Sequence, residues 1–289
     1  MLKGKGISDG IGLGKTVILK NEDIKIEKIR VQDVESEKNV FYKAIHEVEL
    51  ETEKLVEKLS GTEKEIIQAY LVILQDPILV QETIKRIEQE NCNAAYATEI
   101  GFNTIIQMFE EMDDPYMAAR SADIADMKRK ILYKIMNKEE INLSHLPKNS
   151  IIVSKELTTS DTAKLDLKNV AGIVTEIGGI NSHMAIMART HEIPAIVGIK
   201  QITQVIKKDE LIAINGESGE IFVNPSEEEC IKLKGIKENV KQKKEQLQTY
   251  KNQLSVTRDG HEVELLANIG GVQDIDIVIN NTAEGVRII

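Results

Sequence analysis

The spacing of hydrophobic residues divides the chain into regions with different predicted structures. Within residues 33–138, apolar side chains recur every three or four positions, which is the spacing of an amphipathic helix. Asn, Asp, Gly and Pro interrupt this pattern at residues 60–62, 76–77, 91–93 and 113–115. Because these residue types end helices, the region is predicted to be a bundle of four or five antiparallel helices.

A different pattern follows Pro147. Short runs rich in Ile and Val, separated by Gly, Asp and Asn, predict strands at residues 151–153, 170–174, 193–199, 210–214 and 220–223. Two helices are predicted between these strands, near residues 160–166 and 182–190. Strands that alternate with helices indicate an α/β domain of mixed or parallel strands.

The first 20 residues are expected to join this α/β domain, because they resemble a glycine-rich turn followed by a strand that includes Thr16. The domain therefore comprises residues 1–20 and 147–225, and the helical bundle, residues 33–145, is an insertion. Residues 226–255 are predicted to form a polar connecting helix. Residues 256–289 begin a new strand–turn–helix unit, which cannot bury its own apolar face and is the expected start of a further domain.

The acidic excess of the chain is confined to the predicted bundle. The whole chain has a net charge of −10, and residues 33–145 contain 23 acidic against 13 basic side chains. This distribution disfavours nucleic acid and anionic lipid as partners and favours a basic protein that docks on the bundle. A solvated helical surface explains the charge equally well.

Composition also excludes several classes of protein. No apolar run approaches the roughly 18 residues of a membrane span, and the first residues lack the apolar segment of a signal peptide. Cys92 and Cys230 stand alone, without the spacing of a disulfide framework or a zinc site. We therefore expect a cytoplasmic protein without a metal site.

The segment with the clearest chemical signal is GIVTEIGGINSHMAIMARTHEIPAIVGI, residues 172–199. A predicted strand leads into the Gly178-Gly179 turn, where the backbone can approach a ligand closely. Asn181 or Ser182 can then cap the following helix. A glycine turn that precedes a helix N-terminus is a general form of anion site.

His183 lies in the first turn of that helix, among its free N–H groups and at the positive end of its dipole. An imidazole nitrogen in this position can attack phosphorus and hold the phosphoryl group as a covalent intermediate. The surrounding N–H groups would stabilise the phosphoryl oxygens. From residue type alone, a capping or core histidine is the better interpretation.

This segment resembles the phosphohistidine signature of the phosphoenolpyruvate-utilising enzymes, GGx(T/N)xH followed by small and aliphatic residues, an Arg and IPA(I/V)VG. Two positions depart from it: Ile180 stands where Enzyme I relatives usually carry a basic residue, and Met184 where the family prefers a small or hydroxyl residue. The matching residues are Gly178, Gly179, Asn181, His183, Ala185, Ile186, Met187, Ala188, Arg189 and 193–198.

Within that superfamily, the chain resembles the N-terminal half of Enzyme I of the sugar phosphotransferase system. Residues 6–15 are similar to the opening of that family, with Asp9 in place of its usual Pro. Residues 157–163 resemble its LTPS(D/E)TA segment, with Thr159 in place of Pro. The resemblance implies an α/β phosphohistidine (swivelling) domain with an inserted all-α helical bundle and a truncated C-terminal barrel.

The resemblance also implies roles for individual residues. His183 is the catalytic phosphohistidine nucleophile, and the hydroxyl of Thr162 orients its imidazole. Gly178, Gly179 and Ser182 are the expected phosphoryl-binding residues.

The inserted bundle corresponds to the family's docking domain for the phosphocarrier protein HPr. Residues 65–77 resemble the docking hairpin, except that Tyr70 stands where a His is usual. Near residues 120–126, Ala125 replaces a common Arg. The predicted partner-binding residues are Glu65, Gln68, Tyr70, Leu71, Leu74 and Ala125.

Residues 259–261 and 267–270 resemble the linker and first strand of the family's phosphoenolpyruvate-binding barrel. In the family that barrel holds the phosphoenolpyruvate site, its Mg²⁺ and the dimer surface. We therefore expect this chain to be a monomer without a cofactor, which exchanges phosphoryl groups with HPr but does not turn over phosphoenolpyruvate. Alternatives are a catalytically silent HPr-binding module, a truncated fragment, or the swivelling domain of a phosphoenolpyruvate synthase or pyruvate phosphate dikinase.

Overall fold

The computed structural model describes residues 2–19, 25–59, 61–138, 140–180, 182–250, 253, 255–269 and 275–288. These residues form two compact units, Met1–Pro225 and Ser226–Ile289. Each unit is described by itself. None of the described helices is both long enough and apolar enough to span a membrane.

The first unit contains an eight-stranded mixed sheet, whereas the sequence predicts mixed or parallel strands with only one strand in the first 20 residues. In chain order its strands are β1 (Leu2–Lys3), β2 (Lys5–Ser8), β3 (Ile11–Leu19), β4 (Ser150–Ser154), β5 (Val170–Thr175), β6 (Ala195–Val197), β7 (Leu211–Asn215) and β8 (Glu220–Val223). Their order across the sheet is β1-β8-β7-β3-β4-β5-β6-β2. The four central strands from β3 to β6 are parallel, and the outer pairs are antiparallel.

The prediction of a glycine-rich turn before Thr16 is wrong, because β3 already begins at Ile11. The glycines of this strand allow neighbouring backbone to come close. A Cβ atom at Gly14 would lie only 1.7 Å from the carbonyl oxygen of Asn149, and one at Gly12 would lie 2.3 Å from that of Ala171. A larger side chain at either position would push the sheet apart.

The sheet is covered on both faces by helices. Side chains alternate along β4, so Ile152 belongs to one hydrophobic cluster while Ile151 and Val153 belong to another. The helices of this α/β part are α6 (Thr159–Lys164), α7 (His183–Thr190) and α8 (Ile202–Val205), numbered after the five helices of the bundle.

The bundle interrupts the sheet between β3 and β4, which are neighbouring strands. Phe41, Ile87, Phe102, Met127 and Ile131 are all fully buried in its single core. Its helices are α1 (Val34–Val56), α2 (Gly61–Leu74), α3 (Pro77–Glu90), α4 (Ala94–Glu110) and α5 (Pro115–Ile135).

The helix boundaries follow the capping residues in the sequence. The side chain of Asp33 accepts a hydrogen bond from the backbone of Ser36 at the start of α1. Asp76 accepts one from Ile78 in the same way at the start of α3, where Pro77 is the first helical residue. Asn91 ends α3 in the left-handed conformation.

The second unit contains the long polar helix α9 (Glu227–Thr249), which the sequence predicts. It also contains β9 (Leu266–Ile269), α10 (Ile275–Asn280) and β10 (Gly285–Ile288), and β9 pairs with β10 in parallel. The predicted strand and helix are therefore present, followed by a second strand. The turn predicted between β9 and α10 lies outside the described residues.

Candidate active site at the start of α7

The turn between β5 and α7 is shaped by two glycines that differ in their surroundings. Gly178 has a φ angle of +150°, and a Cβ atom there would lie 3.3 Å from Val197 Cγ1 and 3.4 Å from Thr175 Oγ1. Gly179 has no atom within 4 Å of the position a Cβ would take. Gly178 therefore sets the path of the chain, and Gly179 leaves its backbone open to a ligand.

Ser182 is the N-cap of α7, as predicted. Its Oγ accepts a hydrogen bond of 3.3 Å from the backbone N–H of Ala185, and its carbonyl accepts one from Ile186. The other candidate cap, Asn181, lies outside the described residues. The helix N-terminus is thus formed by the residue directly before His183.

His183 is the first residue of α7 and is partly exposed. The next residue, Met184, is only 3% exposed and packs in the hydrophobic core with Met187 and Ala188. This departure from the family signature therefore faces the core of the α/β part. Among the described residues, the exposed side chains nearest to His183 along the chain are those of Ile180 and Ile186, 46% and 50% exposed.

Arg189 holds the glycine turn against α7. Its Nη1 donates a hydrogen bond of 2.9 Å to the carbonyl oxygen of Ile180. Sequence reasoning matched Arg189 only as a position in the signature and gave it no contact. The bond brings a guanidinium charge close to the backbone of residue 180, whose own side chain is apolar.

Thr162 lies on α6, which packs against α7. Its buried hydroxyl donates a hydrogen bond of 2.7 Å to the backbone carbonyl of Thr159. Within the described part of the chain, no hydrogen bond joins Thr162 to His183. That Thr162 orients the imidazole therefore remains a prediction.

A buried polar network, which the sequence does not predict, joins α6 to α5 of the bundle. Arg129 Nη2 donates to Asp126 Oδ1 (2.9 Å) and to Asp161 Oδ1 (3.1 Å), and the hydroxyl of Ser160 donates to the other oxygen of Asp126. Asp161 also forms a capping box with Thr158 at the start of α6. The helix that packs against α7 is thus fixed to the bundle by charged hydrogen bonds.

The predicted partner-binding residues divide into an exposed and a buried group. Glu65 and Gln68 are exposed, and Leu71 and Ala125 are partly exposed. The other two need correction: Tyr70 and Leu74 are each 1% exposed and belong to the bundle core. They are not available to a partner in this structure.

Tyr70 instead stabilises the bundle internally. Its hydroxyl donates a hydrogen bond of 3.0 Å to Asp123 Oδ1. Burial and the nearby charges of Asp126 and Asp123 raise the pKa of Tyr70 well above its ordinary value, so the hydroxyl stays protonated. The exposed apolar residue on α2 that sequence reasoning missed is Val72, 72% exposed.

Among the described residues, no group of three or more His, Cys, Asp or Glu side chains could hold a metal ion. The arrangement at α7 is instead one for an anion: a partly exposed imidazole, a capped helix N-terminus and an open glycine backbone. Such a site can hold a phosphoryl group on the imidazole while backbone N–H groups contact its oxygens.

Comparisons with known proteins identify the family that the chain resembles. The family model for the N-terminal domain of phosphoenolpyruvate-utilising enzymes matches residues 3–120, and the model for their mobile domain matches residues 146–219. The first match includes helices α1 to α4 of the bundle, and the second includes α7 with His183. The chain is thus built like a phosphoenolpyruvate-utilising enzyme.

Individual relatives define the family more narrowly. The phosphoenolpyruvate-protein phosphotransferase of Staphylococcus carnosus (strain TM300) is 39% identical over 289 residues, 99% of this chain and 50% of the relative. That of Listeria innocua is 38% identical over 289 residues, again 99% of this chain and 50% of the relative. The chain therefore spans about half the length of the curated relatives it matches.

A solved structure supports the same assignment. The solution structure of an Enzyme I protein (nEIt) is similar over its full length and 83% of this chain, with a TM-score of 0.75 and 32% sequence identity. The chain belongs to the Enzyme I family. This confirms the resemblance inferred from the sequence and the expected fold of an α/β domain with an inserted helical bundle.

Proposed function

We propose that the chain accepts a phosphoryl group on His183 and exchanges it with the phosphocarrier protein HPr in the cytoplasm. A ring nitrogen of His183 that carries no proton attacks the phosphorus of phospho-HPr. A phosphorus–nitrogen bond forms as the bond to the carrier breaks, and the reverse step returns the phosphoryl group. The observation that carries the proposal is the partly exposed His183 at the capped N-terminus of α7, beside the open backbone of Gly179.

The site's other residues fit this reaction. Phosphoryl transfer depends mostly on position and on neutralisation of charge. Gly178 and Ser182 fix the turn and the helix start, and Arg189 brings a cation to the same turn. The backbone donors would contact the phosphoryl oxygens, and the N-terminal dipole favours their negative charge.

The bundle offers a docking surface connected to the site. Glu65, Gln68 and Val72 are exposed on α2, in a bundle whose net charge is negative. Helix α2 also contacts α6, and α6 packs against α7. A carrier with a basic and apolar surface that docks on α2 would therefore bind next to the elements that position His183.

The test is transfer of labelled phosphate from phospho-HPr to the full 289-residue chain. We expect acid-labile label on His183 and none on His183→Gln. The matched control is His191→Ala, because His191 is exposed at the opposite end of α7 and is expected to leave labelling unchanged. Label on another residue, or equal labelling of His183→Gln, would contradict the proposal.

A silent HPr-binding module is the second candidate, and the side chain of Ile180 favours it. Ile180 lies next to the site and is 46% exposed, and it occupies the position at which Enzyme I relatives usually carry a basic residue. Binding of HPr without any label would support this candidate, whereas label on His183 would exclude it. The same assay with phosphoenolpyruvate as donor tests the expectation that these 289 residues do not use it directly.

A further inference from the structure

A cavity of about 500 Å³ lies in the first unit, within the described residues. It is formed by the second half of α1, the C-terminal half of α5, the segment 140–144 and the end of α6. Cavities of this size are in the range that small-molecule ligands occupy in proteins, about 300–1,000 Å³. None of the residues assigned to phosphoryl transfer lines it.

The lining of the cavity is strongly basic. Among the described residues, six lysines and two glutamates contribute to it, although the bundle that supplies most of them is acidic overall. The apolar part of the wall comes from Leu55, Tyr133, Ile141 and Leu143. The charged residues are Glu51, Lys54, Lys58, Lys130, Lys134, Lys138, Glu140 and Lys164.

Both glutamates of the cavity are already used in ion pairs. Glu51 pairs with Lys134, and Glu140 Oε2 lies 2.9 Å from Lys164 Nζ. Lys54, in the last turn of α1, and Lys58, just after that helix, are exposed at the rim, and neither forms an ion pair with any described residue. The cavity thus has more positive charge than its own carboxylates can neutralise.

Lys130 is the most informative of these residues. It is only 6% exposed, and within the described part of the chain its ammonium group forms no hydrogen bond or ion pair. The carboxylates of Asp126, Glu140 and Asp161 influence it electrostatically, but each of them already accepts a hydrogen bond from another cation. A largely buried ammonium group without a hydrogen-bond acceptor is unfavourable, and the space beside it is the cavity.

The pKa of Lys130 is consistent with this description. Burial lowers the pKa of its ammonium group, while the charge of Asp126 acts in the opposite direction and only partly compensates. An anion bound in the cavity would favour the protonated form of Lys130. It would also provide a hydrogen-bond acceptor, which none of the described residues supplies to Lys130.

We propose that this cavity binds a small organic anion with two or more phosphate or carboxylate groups, held by Lys130 at its base and by Lys54 and Lys58 at its rim. Lysine ammonium groups bind phosphate and carboxylate as point charges. The apolar wall suits the organic body of such a ligand. This inference does not depend on the proposed function, because it uses different residues and a different assay.

Isothermal titration of the full chain with pyrophosphate, and separately with citrate, tests the proposal at constant ionic strength. We expect saturable binding at one site by at least one probe. Tighter binding of pyrophosphate would identify a phosphate ligand, and tighter binding of citrate a carboxylate ligand. The double variant Lys54→Ala/Lys58→Ala is expected to weaken that binding about tenfold, because two cationic contacts are lost.

Lys85→Ala is the matched control, because Lys85 is exposed on α3 and does not line the cavity. It is expected to leave the affinity unchanged. Absence of saturable binding by both probes at millimolar concentration would overturn the proposal. Equal weakening by Lys85→Ala would also overturn it, since it would show attraction to the surface as a whole.

Lys130→Met provides a second test, which does not rely on the rim residues. It removes the buried charge but keeps a side chain of similar length, so the wall of the cavity is preserved. Because the charge of Lys130 also acts on the buried Asp126, the free protein is expected to melt at a lower temperature than the unmodified chain. The rise in melting temperature caused by the binding probe should be lost. A variant that keeps this rise would show that Lys130 has a purely structural role.

Discussion

The side chain of Asp126 is buried where α5 of the bundle meets α6, and replacing it should reduce stability strongly. Asp126→Ala would leave the guanidinium of Arg129 and the hydroxyl of Ser160 without this acceptor. Removal of one partner from a buried ion pair costs about 3–5 kcal/mol of unfolding free energy. Asp126→Asn keeps the shape and one acceptor oxygen, so its expected cost is smaller, about 1–3 kcal/mol.

The effect should depend on pH in a defined direction. Burial alone would raise the pKa of Asp126, but the positive charges of Lys130 and Arg129 and the hydrogen bond from Ser160 hold it below its ordinary value. The pKa of an aspartate in the unfolded chain is about 3.9. Because the folded pKa is the lower one, this stabilisation is complete above about pH 4 and is lost as the pH falls through the folded pKa.

Urea unfolding followed by circular dichroism, between about pH 7 and pH 3, measures both expectations. The control is Glu47→Gln, whose exposed carboxylate lies 4.0 Å from Lys43 Nζ and should contribute less than about 1 kcal/mol. The reasoning is refuted if Asp126→Ala costs no more than Glu47→Gln. It is also refuted if the difference between Asp126→Asn and the unmodified chain stays constant down to the lowest pH.

Three further predictions concern the site and the docking surface. Gly178→Ala should lower the free energy of unfolding in urea by about 1–3 kcal/mol and slow labelling by phospho-HPr, because φ is positive there and Val197 is close. Gly179→Ala should leave the free energy of unfolding unchanged. Ser182→Ala should lower the unfolding free energy by about 1 kcal/mol through loss of the N-cap, and an unchanged value would contradict the capping contact. Val72→Glu should weaken HPr binding about tenfold in titration calorimetry, while Met108→Glu on the exposed side of α4 should not, and equal effects would argue against docking on α2.

Local signals in the sequence predicted most of the helix boundaries. Asp33 and Asp76 cap α1 and α3, and Ser182 caps α7, because each side chain bonds to a backbone N–H only two or three residues away. Such short-range contacts can be predicted directly from the order of residues. The candidate nucleophile, His183, was found for the same reason, since its cap and glycine turn precede it immediately.

Contacts between distant residues were not predictable in this way. Nothing in the order of residues indicates that the hydroxyl of Ser160 donates to Asp126 on another helix. Gly14 was interpreted as part of a turn, although it lies within β3 and its lack of a side chain lets the backbone of Asn149 come close. Tyr70 carries a polar hydroxyl group, which favours a position at the surface. Only the packing of α2 and α5 shows that this hydroxyl has a hydrogen-bond partner inside the bundle.

The insertion of the bundle between β3 and β4 has a consequence for how the chain folds. Strand β3 ends at Leu19, but its neighbours in the sheet begin only at Ser150 and Leu211. During synthesis on the ribosome, both edges of β3 therefore remain unpaired until the five helices of the bundle have been made. Early formation of the bundle shortens the effective loop between β3 and β4. The pairing of β3 with β4 and β7 should therefore be among the last steps of folding.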